Sequence, residues 1–179
     1  MDIKPNYTHS KFGTFMFNCC AKWTKFIIKH RWLYYFLIFT WGLPVVLVGL
    51  IISFVLLIAK IFNHNIKFFK FCWIYGIKIG PDYWGGFSAG ITFLRDKKSG
   101  DGINAHEFGH SIAQLSWMGI FALFLIYIPS IYRYWVRAIH PKKQFKPYDS
   151  FWGEDSATVC GRYATEFITQ APAKKSSND

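Results

Sequence analysis

The chain has 179 residues, a length typical of a single domain. Hydrophobic residues make up 52% of it and charged residues only 17%, against roughly a quarter in soluble globular proteins. The net charge of +11 could indicate nucleic acid binding, but the basic residues flank apolar runs and alternate with aromatic residues, which is typical of lipid-headgroup contacts. We therefore expect a membrane protein whose partner is the lipid bilayer, and we expect no nucleic acid partner.

The first part of the chain indicates a membrane anchor. Residues 1–31 are predicted to form a basic juxtamembrane arm. The charge-free run Trp32–Ala59 follows, and it exceeds the ~20 residues that cross a bilayer as a helix. We therefore predict a transmembrane helix over residues 32–59, with a kink at Pro44, which closely follows Gly42.

Residues 60–168 are predicted to form a membrane-associated domain, followed by a disordered tail over residues 169–179. The segment Lys60–Lys70 alternates lysines with bulky apolar residues, as an interfacial segment does. Glycine and aromatic residues in Pro81–Gly90 predict turns. The β-branched and aromatic residues of Gly90–Leu94 predict a short strand.

The next helix contains the run His106-Glu107-Phe108-Gly109-His110. Residues four apart lie on one face of a helix, so His106 and His110 can direct ring nitrogens at one metal ion. Glu107 projects beside that face, where a carboxylate can take a proton from an activated water. The pattern H-E-x-x-H is typical of zinc-dependent hydrolysis.

A purely structural interpretation of the same run is also open. Asn104 is a good N-cap residue and Glu107 follows it by three positions, which is the spacing of a capping box. On that interpretation the histidines are incidental. Gly109 argues against it, because a glycine costs ~1 kcal/mol inside a helix and therefore indicates close approach of another backbone or of a ligand.

A catalytic zinc site generally has three protein ligands, so a third is needed. Glu154 is the best candidate, because it lies in a helix predicted around Phe151–Ile168 and small residues follow it. In a purely structural interpretation, Glu154 and Asp155 are acidic residues in the first turn of this helix, where they offset the helix dipole. The other candidate ligands are Asp149, Asp155, His140 and Glu166.

The HEFGH run and the later segment Glu154-Asp155-Ser156-Ala157 resemble the gluzincin metallopeptidases. The similarity is to the membrane-bound CAAX prenyl-protease and HtpX types, and to small bacterial membrane proteins with an HE-aromatic-GH run and a Pro-Ser step, here Pro129-Ser130. The resemblance implies a zinc metalloendopeptidase with His106, His110 and Glu154 as metal ligands and Glu107 as general base. It also implies that Gly90–Leu94 is an edge strand that pairs with an extended peptide substrate.

The chain departs from the larger families at one position. They place an aspartate four residues after the glutamate ligand, where it supports a metal-binding histidine, and this chain has Thr158 there. A hydroxyl can form the hydrogen bond but adds no basicity to the ligand. The residue that stabilises the oxyanion stays open among four candidates: Arg133, His140, Tyr148 and Tyr163.

The path of the second apolar run, Trp117–Tyr132, determines whether Glu154 can lie beside the two histidines. As a helix it spans ~24 Å, short of the ~30 Å hydrocarbon core, and Gly119 and Pro129 interrupt it. A full crossing would separate Glu154 from the histidines, so the zinc hypothesis requires a re-entrant or oblique helix here. The alternative is one continuous helix from Ala105 to Tyr132.

Together these patterns predict an α+β, mainly helical integral membrane protein with one transmembrane helix, a second membrane-associated or re-entrant helix and a minimal metallopeptidase core. We expect it in the bacterial inner membrane, with the catalytic half facing the cytoplasm. The small core leaves room for a homo-oligomer or a partner membrane protein. Two other hypotheses stay open: a non-catalytic scaffold or accessory subunit with a structural or vestigial metal site, and a lipid-surface protein without metal.

Overall fold

The computed structural model describes residues 2–82 and 84–175. As predicted for an α+β chain, the protein is mostly helical with one small mixed sheet. The helices are α1 (Lys11–Ile27), α2 (Arg31–Ile38), α3 (Leu43–Phe62), α4 (Asp101–Ser116), α5 (Ile120–Ala122), α6 (Ile128–Ile139) and α7 (Trp152–Lys175), and the strands are β1 (Lys67–Phe71), β2 (Ile74–Lys78), β3 (Gly86–Ala89) and β4 (Thr92–Arg95). A π-helical segment, Leu123–Tyr127, joins α5 to α6, and a 3₁₀ turn, Tyr148–Ser150, precedes α7.

The apolar run Trp32–Ala59, predicted as one kinked helix, is divided between two helices. The chain leaves α2 after Ile38 and enters α3 with Pro44 in the first turn, where the missing N–H needs no partner. One face of α2 belongs to the core, because Tyr34 and Ile38 are fully buried. Within the described residues, α3 is the one helix that is long and apolar enough to cross a bilayer.

The segment 1–31, predicted as a basic arm, contains α1, and one face of α1 belongs to the core. The buried residues recur every three or four positions, as they do on a helix with one apolar face: Met16, Phe17, Cys20, Ala21, Thr24 and Ile27. Several of them pack with Trp152 and Cys160 of α7. The lysines of this segment therefore project from a packed helix.

The sheet has the order β1-β2-β4-β3. β2 and β4 are parallel, and the outer pairs β1/β2 and β3/β4 are antiparallel. The predicted edge strand Gly90–Leu94 corresponds to β4, which is an interior strand, so that part of the prediction is wrong. The edge strands are β1 and β3. β3 lies in the glycine-rich segment where turns were predicted, and Gly90 makes the β3–β4 turn with a φ of 71°.

The chain breaks sharply after α4, so the predicted alternative of one helix from Ala105 to Tyr132 is wrong. Met118 and Gly119 both adopt left-handed backbone conformations. The backbone of Gly119 lies against the Trp41 carbonyl oxygen so closely that a Cβ there would overlap it.

A single bent helical stretch formed by α5, the π-helical segment and α6 follows this break. Pro129 was expected to interrupt the second apolar run, yet the helix continues through it. The wider turn of the π-helical segment directly before Pro129 accommodates its missing N–H.

At the carboxyl end, the helix predicted around Phe151–Ile168 is α7, which continues to Lys175. Residues 169–175, predicted as part of a disordered tail, are therefore helical. The remainder of that predicted tail, residues 176–179, lies outside the described residues.

Two buried charged side chains, Arg95 and Asp96, fix the start of α4. The Asp96 carboxylate accepts three backbone N–H groups at 2.6–3.1 Å and the Ser99 hydroxyl. Burial acts to raise the pKa of Asp96, but these hydrogen bonds outweigh it and hold the pKa well below its ordinary value. The Arg95 guanidinium donates to Asn104 Oδ1 at 2.7 Å and to the Ser99 carbonyl oxygen.

We predict that Asp96→Asn destabilises the fold by roughly 2–3 kcal/mol, because the amide would turn an N–H₂ group towards donors that now face a charged acceptor. Midpoints of denaturant unfolding measure the change. Asp82→Asn is the matched control, because its carboxylate forms a solvent-exposed ion pair with Lys98 at 2.7 Å and should matter much less. Equal effects of the two substitutions would contradict the role given to Asp96.

Candidate metal centre

The helix that carries the HEFGH run begins earlier than the capping interpretation requires. α4 starts at Asp101, with Gly100 as its N-cap residue. Asn104 therefore lies inside the helix, where its side chain accepts from Arg95 and donates to Asp101 Oδ1 at 3.0 Å. Because Arg95 already occupies the Asn104 oxygen, there is no capping box, and Glu107 is free for another role.

Three side chains predicted as metal ligands, His106, His110 and Glu154, come together although Glu154 belongs to α7. The two Nε2 atoms of the histidines lie 3.1 Å apart, and Glu154 Oε2 lies 3.1 and 3.3 Å from them. In a tetrahedral site with metal–ligand distances of ~2.0–2.1 Å, neighbouring ligand atoms are ~3.3 Å apart. The three atoms have separations that fit such a site, and the group could hold a metal ion.

The two histidines differ in the hydrogen bonding of their Nδ1 atoms. His106 Nδ1 is hydrogen-bonded to the Thr158 hydroxyl at 2.8 Å, so Thr158 orients the ring of this candidate ligand. His110 Nδ1 is buried and has no hydrogen-bond partner in the part of the chain that the structure describes. The ring of Tyr127 lies near His110, with 6.2 Å between ring centroids.

The carboxylate of Glu154 is almost fully buried. Burial acts to raise its pKa, but the facing rings of His110 and His106 outweigh that effect and hold the pKa well below its ordinary value. An ionised carboxylate beside two imidazoles is a suitable ligand for a divalent cation.

Glu107 is also buried, and its Oε2 has no hydrogen-bond partner among the described residues. Burial raises the pKa of Glu107 to about 8, while His106 opposes the shift and Glu154 adds to it. Strand β3 approaches so closely that a Cβ at Gly86 would overlap Glu107 Oε1. A carboxyl group in this position is typical of a general base or acid.

Two glycines bring the ligands together. Gly109 lies between the histidine turns of α4, and a Cβ there would overlap the Ala157 carbonyl oxygen of α7. Gly161 makes the reciprocal contact, with its Cα against the Ala105 carbonyl oxygen. The close backbone approach predicted from Gly109 is therefore confirmed, and its partner is the helix that carries Glu154.

The other candidate ligands lie elsewhere. Asp155 is buried on another side of α7, where its carboxylate accepts from the backbone and side chain of Asn6 and contacts His9 Nε2 at 2.8 Å. Asp149 accepts from the Tyr7 hydroxyl at 2.8 Å at the edge of the site. His140 and Glu166 are exposed and do not belong to the group.

A cavity of about 600 Å³ lies over the three ligands and Glu107. Its walls are mainly aromatic and aliphatic, with contributions from β3, α4, α6 and the 3₁₀ turn: Trp84, Phe87, Ile103, Ile131, Tyr134, Trp135 and Tyr148 are among the lining residues. Such walls suit apolar groups of a bound molecule, while His106, His110 and Glu154 form the polar end of the cavity.

Of the four candidates for oxyanion stabilisation, Tyr148 lines the cavity. Its hydroxyl donates to the Ser130 carbonyl oxygen at 3.0 Å, and burial together with the nearby Glu154 raises its pKa, so it stays a neutral donor. The Arg133 guanidinium instead donates to the carbonyl oxygens of Pro147 and Tyr148. His140 is exposed at the end of α6, and Tyr163 packs against the core.

Tyr127 and Gly86 also line the site, although no sequence pattern indicates them. The Tyr127 hydroxyl donates to Gln114 Oε1 at 3.3 Å, and its ring lines the cavity. Nothing in the sequence distinguishes it from the other nine tyrosines. Ser130, by contrast, was part of the Pro-Ser step noted in the resemblance, and it also lines the cavity.

No family model matches this chain, and comparisons with curated proteins and with solved structures find no match either. The geometry of the site therefore carries the functional argument.

We predict that Gly109→Ala abolishes metal binding, because the added methyl group forces α7, and Glu154 with it, away from the histidines. Metal content per chain after dialysis against a divalent cation measures the effect. Gly102→Ala is the matched control in the same helix, since a Cβ there meets open space. A Gly109→Ala protein that is folded and binds metal like the wild type would contradict this account.

Proposed function

We propose that this chain is a membrane-associated, zinc-dependent endopeptidase that hydrolyses peptide bonds in membrane-associated or unfolded segments. One observation carries the proposal: the ligand group of His106, His110 and Glu154 lies beside a buried, unpaired Glu107 at the polar end of a cavity. The gluzincin resemblance likewise implies that His106, His110 and Glu154 are metal ligands and that Glu107 is the general base.

The ligand group fits zinc by its chemistry. Two imidazole nitrogens and one carboxylate oxygen are a donor set of catalytic zinc sites, and three protein ligands leave a coordination position open. Zinc bound there would supply Lewis acidity, which lowers the pKa of a water and polarises a scissile carbonyl.

The roles of the chain's own residues follow from their positions. Glu107 takes the proton of the attacking water and delivers it to the leaving amine. The Tyr148 hydroxyl turns from the Ser130 carbonyl oxygen and donates its one hydrogen to the oxygen that becomes negative in the transition state. Strand β3 is a sheet edge whose residues line the cavity, so it takes over the substrate-pairing role expected of Gly90–Leu94.

The proposed membrane association is supported by α3 and by the apolar residues that the helices expose. α3 is long and apolar enough for a bilayer and only 17% of its most apolar window is buried. α1 and α2 also expose aromatic residues, which include Phe15, Trp32 and Phe36. The bacterial inner membrane, the cytoplasmic orientation and an oligomer or partner protein stay predictions.

We predict close to one zinc ion per chain in protein purified without chelator, with far less in His110→Ala and Glu154→Ala. Elemental mass spectrometry measures it. Glu166→Ala, an exposed glutamate on the same helix as Glu154, should keep full zinc content. Absence of zinc from the wild type would overturn the proposed activity, and loss in His110→Ala alone would remove Glu154 from the ligand set.

We predict that Glu107→Gln lowers the cleavage rate of labelled casein, an unstructured protein, by at least ~100-fold, because proton transfer by a positioned group contributes about that much or more. Zinc content should stay unchanged, since Glu107 is not a ligand. A chain that binds zinc but cleaves no unstructured or membrane-associated peptide would favour the scaffold with a vestigial site.

A further inference from the structure

Helix α3 has two unlike sides along its whole length. The less exposed positions recur every three or four residues, which places them on one face: Val45, Gly49, Ile52, Leu56 and Ala59. The opposite face is apolar and exposed along the whole helix: Leu43, Leu47, Leu50, Ile51, Phe54, Ile58 and Ile61. The protein therefore shields one side of α3, with buried residues in its first half (Val45, Val46 and Gly49) and half-buried residues after it.

The shielded side lies against the sheet. A Cβ at Gly49 would overlap the Ala89 carbonyl oxygen and contact Thr92 Oγ1, and Gly90 lies against the backbone of Val46. At the other end, the Lys60 ammonium lies 5.5 Å from the centre of the Phe68 ring. Because β1 and β4 belong to one sheet, the packed first half of α3 and the Lys60 contact near its end involve the same body.

Segments that precede and follow α3 in the chain also share one core. The Tyr34 hydroxyl of α2 is hydrogen-bonded to Ser111 of α4 at 2.6 Å, with both residues fully buried. Tyr34 and Ile27 lie in one cluster with Phe93 and Phe108. A single crossing by α3 would place these partners on opposite sides of the bilayer.

After a crossing by α3, no segment before Ser111 could return the chain across the bilayer. Between α3 and α4 the described chain forms the sheet, whose strands have at most five residues, whereas ~9–11 are needed to cross. The sheet also presents exposed lysines at Lys67 and Lys70 on its outer strand, β1. Neither those charges nor the unpaired edge of β1 is compatible with hydrocarbon.

We infer that α3 lies along the membrane surface and inserts only its outer face into one leaflet, so that both ends of α3 and the metal centre stay on one side of the bilayer. This inference rests on the membrane association proposed above and replaces the predicted transmembrane helix. The basic residues on both flanks of the apolar run, including Lys29, Arg31, Lys60 and Lys67, then meet headgroups of the same leaflet.

The test introduces two cleavage sites for one specific protease, the first ahead of Asp2 and the second in the exposed turn Asn63–Asn65. The full chain is reconstituted into sealed vesicles of phosphatidylcholine and phosphatidylglycerol, and protease is added outside. A cleavable protein trapped in the lumen controls for leakage. Because reconstitution can give both orientations, the result is scored for each molecule by fragment masses.

If α3 lies along the surface, accessible molecules are cut at both sites, and inaccessible molecules at neither until detergent is added. If α3 crosses, each molecule is cut at only one site while vesicles are intact, which would overturn the inference. A chain that does not float with the vesicles would overturn it together with the membrane part of the proposed function. None of these outcomes depends on zinc or on cleavage activity.

A second pair of substitutions repeats the test without an inserted sequence. Lys4→Cys and Asn65→Cys are combined in one chain, since both positions are exposed, and a membrane-impermeant maleimide is added. The unmutated chain, which has four free cysteines, gives the background. Two additional labels or none per molecule supports the surface arrangement, and one additional label per molecule overturns it.

Discussion

The backbone contact between α4 and α7 is the constraint on which the site depends. Gly109 and Gly161 remove the side chains that would keep two helices apart, and each presents its Cα to a carbonyl oxygen of the other helix. Ligand atoms that must converge to about 3 Å tolerate little displacement, so a helix pair at ordinary side-chain separation could not bring Glu154 to the histidines. The surrounding elements hold this crossing: α1 packs against α7, and the Arg95–Asp96 pair fixes the start of α4.

More of the candidate site than of the surrounding fold could be predicted from the sequence. His106 and His110 follow from helical geometry alone, and Gly109 indicates a close neighbour because a glycine inside a helix needs a reason. Glu154 was the best of five candidates because of its predicted helix and the small residues after it, but its approach to the histidines depends on tertiary packing. Tyr127 and Gly86 could not be found, because their positions depend on the path of the π-helical segment and of β3.

The errors in predicting the fold have a common physical cause. The segment 1–31 looks basic because its lysines are prominent, although half of α1 is an apolar face with helical spacing. β3 looks like a turn because it is short and begins with glycine, yet that glycine admits the Glu107 carboxylate. The run Trp32–Ala59 has the composition of one continuous helix, but composition does not record that Tyr34 and Ile38 belong to the core and that the run is divided between α2 and α3. Local patterns report propensity, whereas each of these outcomes was decided by long-range packing.

The electrostatics of the site explain why these buried acids can coexist. Two neighbouring buried carboxyl groups repel each other when both are ionised, and their pKa values separate. The pKa of Glu154 falls because imidazoles face it, and that of Glu107 rises because it is buried, with no hydrogen-bond partner for its Oε2 among the described residues. One group is thereby suited to hold a cation and the other to move a proton. A divalent cation held by the ligand group would offset the remaining cost of these buried charges. Metal binding and stability of the α4–α7 crossing are therefore expected to be coupled, since a ligand that binds the folded state alone stabilises it.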